Sequence, residues 1–212
     1  MKAYIFDLDG TLFDSMDVWH QVDIDFLKKR GIALPSDYMN AISSMNFSEI
    51  AVYTIRRFAL ADSVDSLKQE WIDMAAYAYG HTVQLKPNAK KYIAAVKGRG
   101  AKLAIATTLS AELHRLALRN HGILDLFDAI CTTDEAGRGK SCPDVFLLAA
   151  EKLATPPRDC IVFEDILDAV KSAKSIGMTV CGVFDKTSEA DWEQIRETAD
   201  YAIFDFQYAP EL

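Results

Sequence analysis

No stretch of the chain approaches the roughly 18 consecutive apolar residues that a membrane span requires, so no transmembrane segment is expected. The amino terminus runs from Met1 and Lys2 directly into Ala3-Tyr4-Ile5-Phe6 without the regions of a secretory signal, and the expected location is cytoplasmic. Positive charge is in deficit. The 23 Lys and Arg against 31 Asp and Glu leave a formal net charge of -8, which argues against binding nucleic acid or an anionic membrane through a broad positive field. Cys131, Cys142, Cys160 and Cys181 lie far apart with no C-x-x-C pair, so neither a zinc site nor a redox dithiol is indicated and free core thiols are expected. The four histidines, His20, His81, His114 and His121, are equally scattered and read as surface or helix-face residues without chemistry. There is no internal repeat and no low-complexity tract.

What is present is ordinary globular material: half of the 212 residues are hydrophobic and a quarter charged, enough for a sizeable core. Ala3 to Phe6 is a short apolar run stopped by Asp7, the signature of a buried parallel strand. Met16, Trp19, Val22 and Phe26 then recur at helical spacing up to Gly31. Asn46 with Glu49 forms a capping-box pattern, and Ser63 is placed to cap a helix carrying Leu67, Trp71, Met74 and Ala78. From Pro87 onward strands and helices alternate, with strands at Leu103 to Ala106, Ala129 to Thr132, Cys160 to Phe163, Val180 to Phe184 and Tyr201 to Phe204. The expected fold class is α/β: a Rossmann-like parallel-sheet core formed by residues 1–14 and 84–212, with an all-helical domain inserted at 15–83.

Open parallel sheets bind ligands beyond the carboxyl ends of their strands. Asp7 and Asp9 follow the first strand, Thr107 and Thr108 follow Leu103 to Ala106, and Glu164 and Asp165 follow Ile161-Val162-Phe163. Four carboxylates on one rim repel; two unit charges ~4 Å apart cost about 4 kcal/mol at an effective dielectric of 20. A hard cation such as Mg²⁺ relieves that repulsion, and Lys140, in Gly139-Lys140-Ser141 ahead of a helix, supplies a further positive charge for a phosphate and for Asp7. Asp7 and Asp9, two residues apart at a strand end where Gly10 lets the chain turn, can reach one substrate together. One carboxylate can attack phosphorus while the other exchanges a proton with the leaving oxygen and then with water; backbone N–H groups from Asp9 to Thr11, Thr107 and Lys140 would hold the phosphoryl oxygens.

In order and spacing these residues resemble the four motifs of the haloacid dehalogenase superfamily: Asp7-Leu8-Asp9-Gly10-Thr11-Leu12, Thr107, Lys140, and Glu164-Asp165. The resemblance spans essentially the whole chain and is nearest to the beta-phosphoglucomutase-like phosphatases with a small helical cap. It implies Asp7 as nucleophile, Asp9 as general acid/base, and Thr107 and Lys140 on the phosphoryl group; Gly10 and Thr108, from their places beyond the same strand ends, are further candidates for binding substrate. It also implies Mg²⁺ held by Asp7, the Asp9 carbonyl and Asp165, with Glu164 contributing directly or through water. Two departures separate the chain from the mutases. Their histidine early in the first cap helix is replaced by Trp19, with His20 one residue off, and the stretch Ile42 to Ile50 lacks their phosphate-gripping arginine. The expected activity is hydrolysis of a small phosphorylated metabolite of sugar or polyol type by a monomer or weak homodimer. A beta-phosphoglucomutase-type phosphotransferase is the alternative, and a non-catalytic phosphometabolite-binding protein is the reading from another class.

Simpler readings of the same residues are also open to test. An EF-hand is excluded because Thr11 and Leu12 occupy positions that need Asp or Asn and Gly, and a P-loop is excluded because Asp134 stands where its first glycine belongs. Thr107 competes with Ser110 as a helix cap, and Glu164-Asp165 could simply favour the following helix through its dipole. Trp19, Phe47, Tyr53 and Trp71 read as core of the helical segment, and Ser43 to Ser48 as a specificity loop.

Overall fold

The computed structural model describes residues 2–211. Its centre is a six-stranded, wholly parallel sheet built from β1 (Ala3–Phe6), β4 (Lys102–Thr107), β5 (Ala129–Thr132), β6 (Cys160–Glu164), β7 (Thr179–Val183) and β8 (Tyr201–Ile203), in the order β5-β4-β1-β6-β7-β8. The first strand lies inside the sheet because all four of its residues are buried, leaving no face that favours water. It pairs with β4 on one side (Ile5 with Ala104) and β6 on the other (Ile5 with Val162), which brings the ends of three strands together.

Alternate residues of these strands feed two cores. Tyr4, Phe6, Ile105, Ile161 and Phe163 face one side, where Phe6 and Phe163 stack at 4.7 Å beneath Tyr92 of α5 (Ala89–Gly98). Ala3, Ile5, Ala104, Ala106 and Val162 face the other, whose smaller side chains admit α8 (Asp144–Lys152) and α9 (Leu167–Ser175). Short parallel strands, four of them buried almost throughout, linked in succession through helices, make a Rossmann-like α/β core, as the alternation of the sequence implies.

Between β1 and β4 the chain forms four helices: α1 (Met16–Lys29), α2 (Tyr38–Ile42), α3 (Phe47–Phe58) and α4 (Val64–His81). Asn46 and Glu49 make the reciprocal capping box, and Ser63 caps α4. Phe26, Phe47 and Trp71 meet inside this insertion, and Arg30 ties the end of α1 to Asp62 and Glu70. The chain leaves for the insertion and returns from it through a two-residue antiparallel pair, β2 (Phe13–Asp14) with β3 (Gln84–Leu85), too short to show any period in sequence. The helix α6 (Ala111–Asn120) packs against α4, with Leu116 against Gly80.

His114 lies on the inner, buried face of α6, where burial pulls its pKa down to about 4. One expectation needs correction here. Of the four free cysteines, Cys142 is only half-buried, because it lies in the loop before α8 and not in a strand. Among the described residues no helix is long and apolar enough to cross a membrane.

Candidate active site

Asp7 continues β1, its backbone N–H donating to Phe163 O at 3.1 Å, so the sheet itself fixes its position. The chain then folds back on Leu8, whose carbonyl accepts from Leu12 and Phe13 at 2.9 and 2.8 Å. Gly10 makes this possible twice over. It adopts φ +78°, and a Cβ there would lie 2.3 Å from Asp165 Oδ2. The glycine therefore admits the carboxylate that follows β6, and Thr11 Oγ1 donates to Asp165 Oδ1 at 2.7 Å.

Lys140 is 2 % exposed and lies between two carboxylates, paired with Asp7 and, at 2.8 Å, with Glu164 Oε2. Burial alone would depress its pKa, but the charges of Asp7 and Glu164 outweigh that and hold it above the usual lysine range. Burial raises the Asp7 pKa against the pull of Lys140, with Glu164 adding to the rise; burial, Glu164 and Asp7 raise Asp165 well above the ordinary range. Carboxylate oxygens of Asp7, Glu164 and Asp165 all fall within 4.8 Å of one another, with one ammonium among them. This excess of hard oxygen donors fits a hard divalent cation. Both oxygens of Glu164 are already engaged, Oε2 by Lys140 and Oε1 by the N–H groups of Asp165 and Ile166 at 3.0 and 3.1 Å. Asp7 and Asp165 are the pair with lone pairs left to offer.

The side chain of Asp9 points away from that cluster. Ser15 Oγ donates to its Oδ1 at 2.6 Å, Tyr79 OH donates to the same oxygen, and Trp19 Nε1 reaches Oδ2 at 3.3 Å while donating to Tyr79 OH at 2.7 Å. Burial raises the Asp9 pKa, and these three donors oppose the rise. Thr107 closes β4, 1 % exposed, and its Oγ1 accepts from Leu109 N–H at 3.0 Å, leaving its hydroxyl proton free. The helix α6 is capped by Ser110 instead, which removes capping as the role of Thr107. Asp7, Asp9, Thr107, Thr108, Lys140 and Asp165 all open on one cavity of about 180 Å³ between the sheet edge and the insertion. Gly10 and Glu164 stand behind it.

The family pattern of haloacid dehalogenase-like hydrolases matches residues 4–183. The chain belongs to this family. A phosphorylated carbohydrates phosphatase from Thermotoga maritima is 26% identical over 178 residues, covering 84% of this chain and 82% of its own. Hexitol phosphatase A from Escherichia coli is 27% identical, covering 92% and 88%. Among solved structures, a beta-phosphoglucomutase from Clostridium difficile superposes with a TM-score of 0.82 at 19% identity, covering 99% of this chain and 93% of the other, a likeness of fold.

Within this hydrolase the insertion comes closer to the site than its sequence suggests. Trp19, expected as core, donates to Asp9, and Tyr79, which carried no signal 70 residues away, does the same. Phe47 and Trp71 line the cavity while Tyr53 does not. Of the loop from Ser43 to Ser48, Ser43, Met45 and Phe47 line the cavity, and the loop before Lys140 packs against it. A Cβ on Gly139 would lie 2.3 Å from Ser44 O, and Asp134, at the start of the short helix α7 (Thr133–Ala136), accepts from Ser48 Oγ at 3.1 Å and Lys68 Nζ at 2.6 Å. His20 and Asp168 are exposed and take no part.

Proposed function

We propose that this hydrolase is a Mg²⁺-dependent phosphatase that cleaves a small phosphorylated metabolite of sugar or polyol type through an aspartyl phosphate on Asp7. The observation that carries the reading is the pairing of Asp7 with Lys140 at a cavity that also receives Asp9 from a different direction. Two neighbouring carboxylates in unlike surroundings divide naturally into a nucleophile and an acid/base. Names of relatives support the substrate class: one is a phosphatase of phosphorylated carbohydrates and another of hexitol phosphates.

In the first step an Asp7 carboxylate oxygen bonds to phosphorus, the bond from phosphorus to the leaving oxygen breaks, and Asp9 gives its proton to that oxygen. In the second, water attacks the phosphorus of the aspartyl phosphate, its proton passes to Asp9, and the Asp7 carboxylate is released. Thr107 and Thr108 offer hydroxyl protons to the phosphoryl oxygens, and Lys140 neutralises charge on them. Mg²⁺, held by Asp7 and Asp165 with the Asp9 carbonyl, would offset the negative charge of phosphate and carboxylates. Glu164 holds Lys140. In this reading residues 15–83 act as a cap over a core of 1–14 and 84–212, Ser15, Trp19 and Tyr79 orient Asp9, and the substrate is a small molecule.

A screen of phosphate esters with and without Mg²⁺, including glucose 1-phosphate, tests the assignment. Release of inorganic phosphate is expected. Conversion of glucose 1-phosphate to glucose 6-phosphate as the main reaction would replace it with the mutase, and no turnover of any ester would leave a binding protein.

A further inference from the structure

The wall of the cavity contributed by the insertion contains one charged side chain that the proposed reaction does not use. Asp23, on the inner face of α1, is 6 % exposed and lines the cavity together with Met16, Trp19, Met39, Phe47 and Trp71. Among the described residues it has no hydrogen bond and no ion pair. The Tyr38 hydroxyl, close enough to feel the charge of Asp23, is committed elsewhere. Thr54 donates its only hydroxyl proton to Ile50 O at 2.8 Å, so Tyr38 OH, 2.6 Å away, must donate to Thr54 and has no proton for Asp23. Trp71 Nε1 is sealed from the cavity and has no partner either. Desolvation alone raises the Asp23 carboxyl to about 7.

A buried carboxyl without a partner is costly for the free protein, and a well-packed apolar residue would serve the fold better. Its place in the lining gives it a use, since a ligand in the cavity can bring the missing donor. The remaining charges narrow what that ligand is. Of the residues lining the cavity only Lys140 is a cation, and it sits with the catalytic carboxylates; Asp191, at the rim, is a further acid. A second phosphate or a carboxylate at the far end would meet Asp23 with nothing to neutralise it.

We propose that Asp23 is the specificity residue of the insertion, taking an O–H or N–H donor on the alcohol portion of a phosphomonoester that carries no second anion. This rests on the phosphatase reading and sharpens it from phosphate esters in general to neutral or cationic ones. The aromatic rings of Trp19, Phe47 and Trp71, which share the lining with Asp23, suit the aliphatic face of a polyol and equally an ammonium group.

The test is a matched series of alkyl phosphates of about two to six carbons whose far end is methyl, hydroxyl, amino, carboxylate or phosphate. The wild-type protein should favour the hydroxyl- or amino-ended ester over its methyl-ended counterpart by about tenfold or more in kcat/KM, and should disfavour the two anionic ends. In Asp23→Asn and Asp23→Leu the donor preference should shrink to about twofold, mainly through KM; Asp23→Lys should reverse the order in favour of the carboxylate-ended ester. A preference for amino over hydroxyl that vanishes in Asp23→Asn assigns a cation, and a hydroxyl preference assigns a neutral polyol. Wild-type preference for an anionic end, or the same order in all three variants, overturns the assignment of Asp23. Acetyl phosphate separates the two failures. If it is cleaved while the order is wrong, only Asp23 is misassigned, whereas no cleavage of any ester ends the phosphatase reading and this proposal with it.

Discussion

Lys140 shows what a single residue contributes to both fold and chemistry. With its ammonium removed, Asp7 and Glu164 would face each other buried and uncompensated, and breaking such a pair costs about 3–5 kcal/mol. Lys140→Met should therefore lower the urea midpoint substantially as well as abolish turnover. Asp23 should behave in the opposite way. Its folded carboxyl lies at about 7 against 3.8 in the unfolded chain, so the native state binds more protons between those values and stability falls as pH rises through them. The penalty is absent below the lower value and complete above the higher one, at about 4 kcal/mol. Asp23→Asn should accordingly raise unfolding stability by up to about 4 kcal/mol at about pH 8 and change it little at about pH 3; destabilisation at high pH would contradict this account. Tyr79→Phe should keep the fold and lower kcat about tenfold by loosening Asp9, with KM little changed in steady-state assays. Asp7, Asp9, Thr107, Thr108, Lys140 and Asp165 were legible in sequence because each sits at a strand end or a motif position. Tyr79 and Asp23 were not, since an aromatic or acidic residue on an amphipathic helix carries no mark of the cavity it faces.

At the scale of elements, the sheet was readable because buried parallel strands are short apolar runs, and β1 ended where Asp7 interrupts one. The caps at Asn46 and Ser63 were readable for a different reason: capping is local chemistry, complete within three or four residues. What escaped depends on distant partners. The β2–β3 pair joins residues 13 and 85, and α7 is a single turn capped by Thr132. The contact between α7 and the insertion has consequences for binding. Asp134 ties the loop before Lys140 to Ser48 and Lys68, an exposed clasp worth about 1 kcal/mol or less. Asp134→Ala should leave thermal stability nearly unchanged, raise KM about three- to tenfold, and speed amide exchange at Ser48; unchanged KM would remove the clasp from the account.

For the molecule as a whole, an acidic chain of net charge -8 that handles an anionic substrate must concentrate positive charge locally. Lys140 supplies one charge, and the cluster of Asp7, Glu164 and Asp165 fits a divalent cation for the rest. Chelation should abolish turnover, Mg²⁺ should restore it, and Asp165→Asn should shift the Mg²⁺ requirement upward by about tenfold or more, measured by titrating activity with the metal. The identity of the leaving group was least legible, because the insertion that surrounds it is assembled from helices whose facing residues come from four separate elements. The central claim is that Asp7 itself takes the phosphoryl group. Acid quench during turnover, followed by borohydride reduction and peptide mass spectrometry, tests it most directly. An aspartyl phosphate at Asp7 would appear as homoserine at position 7, and Asp7→Asn would yield none; an unmodified Asp7 during rapid, Mg²⁺-dependent hydrolysis, or full activity in Asp7→Asn, would contradict it.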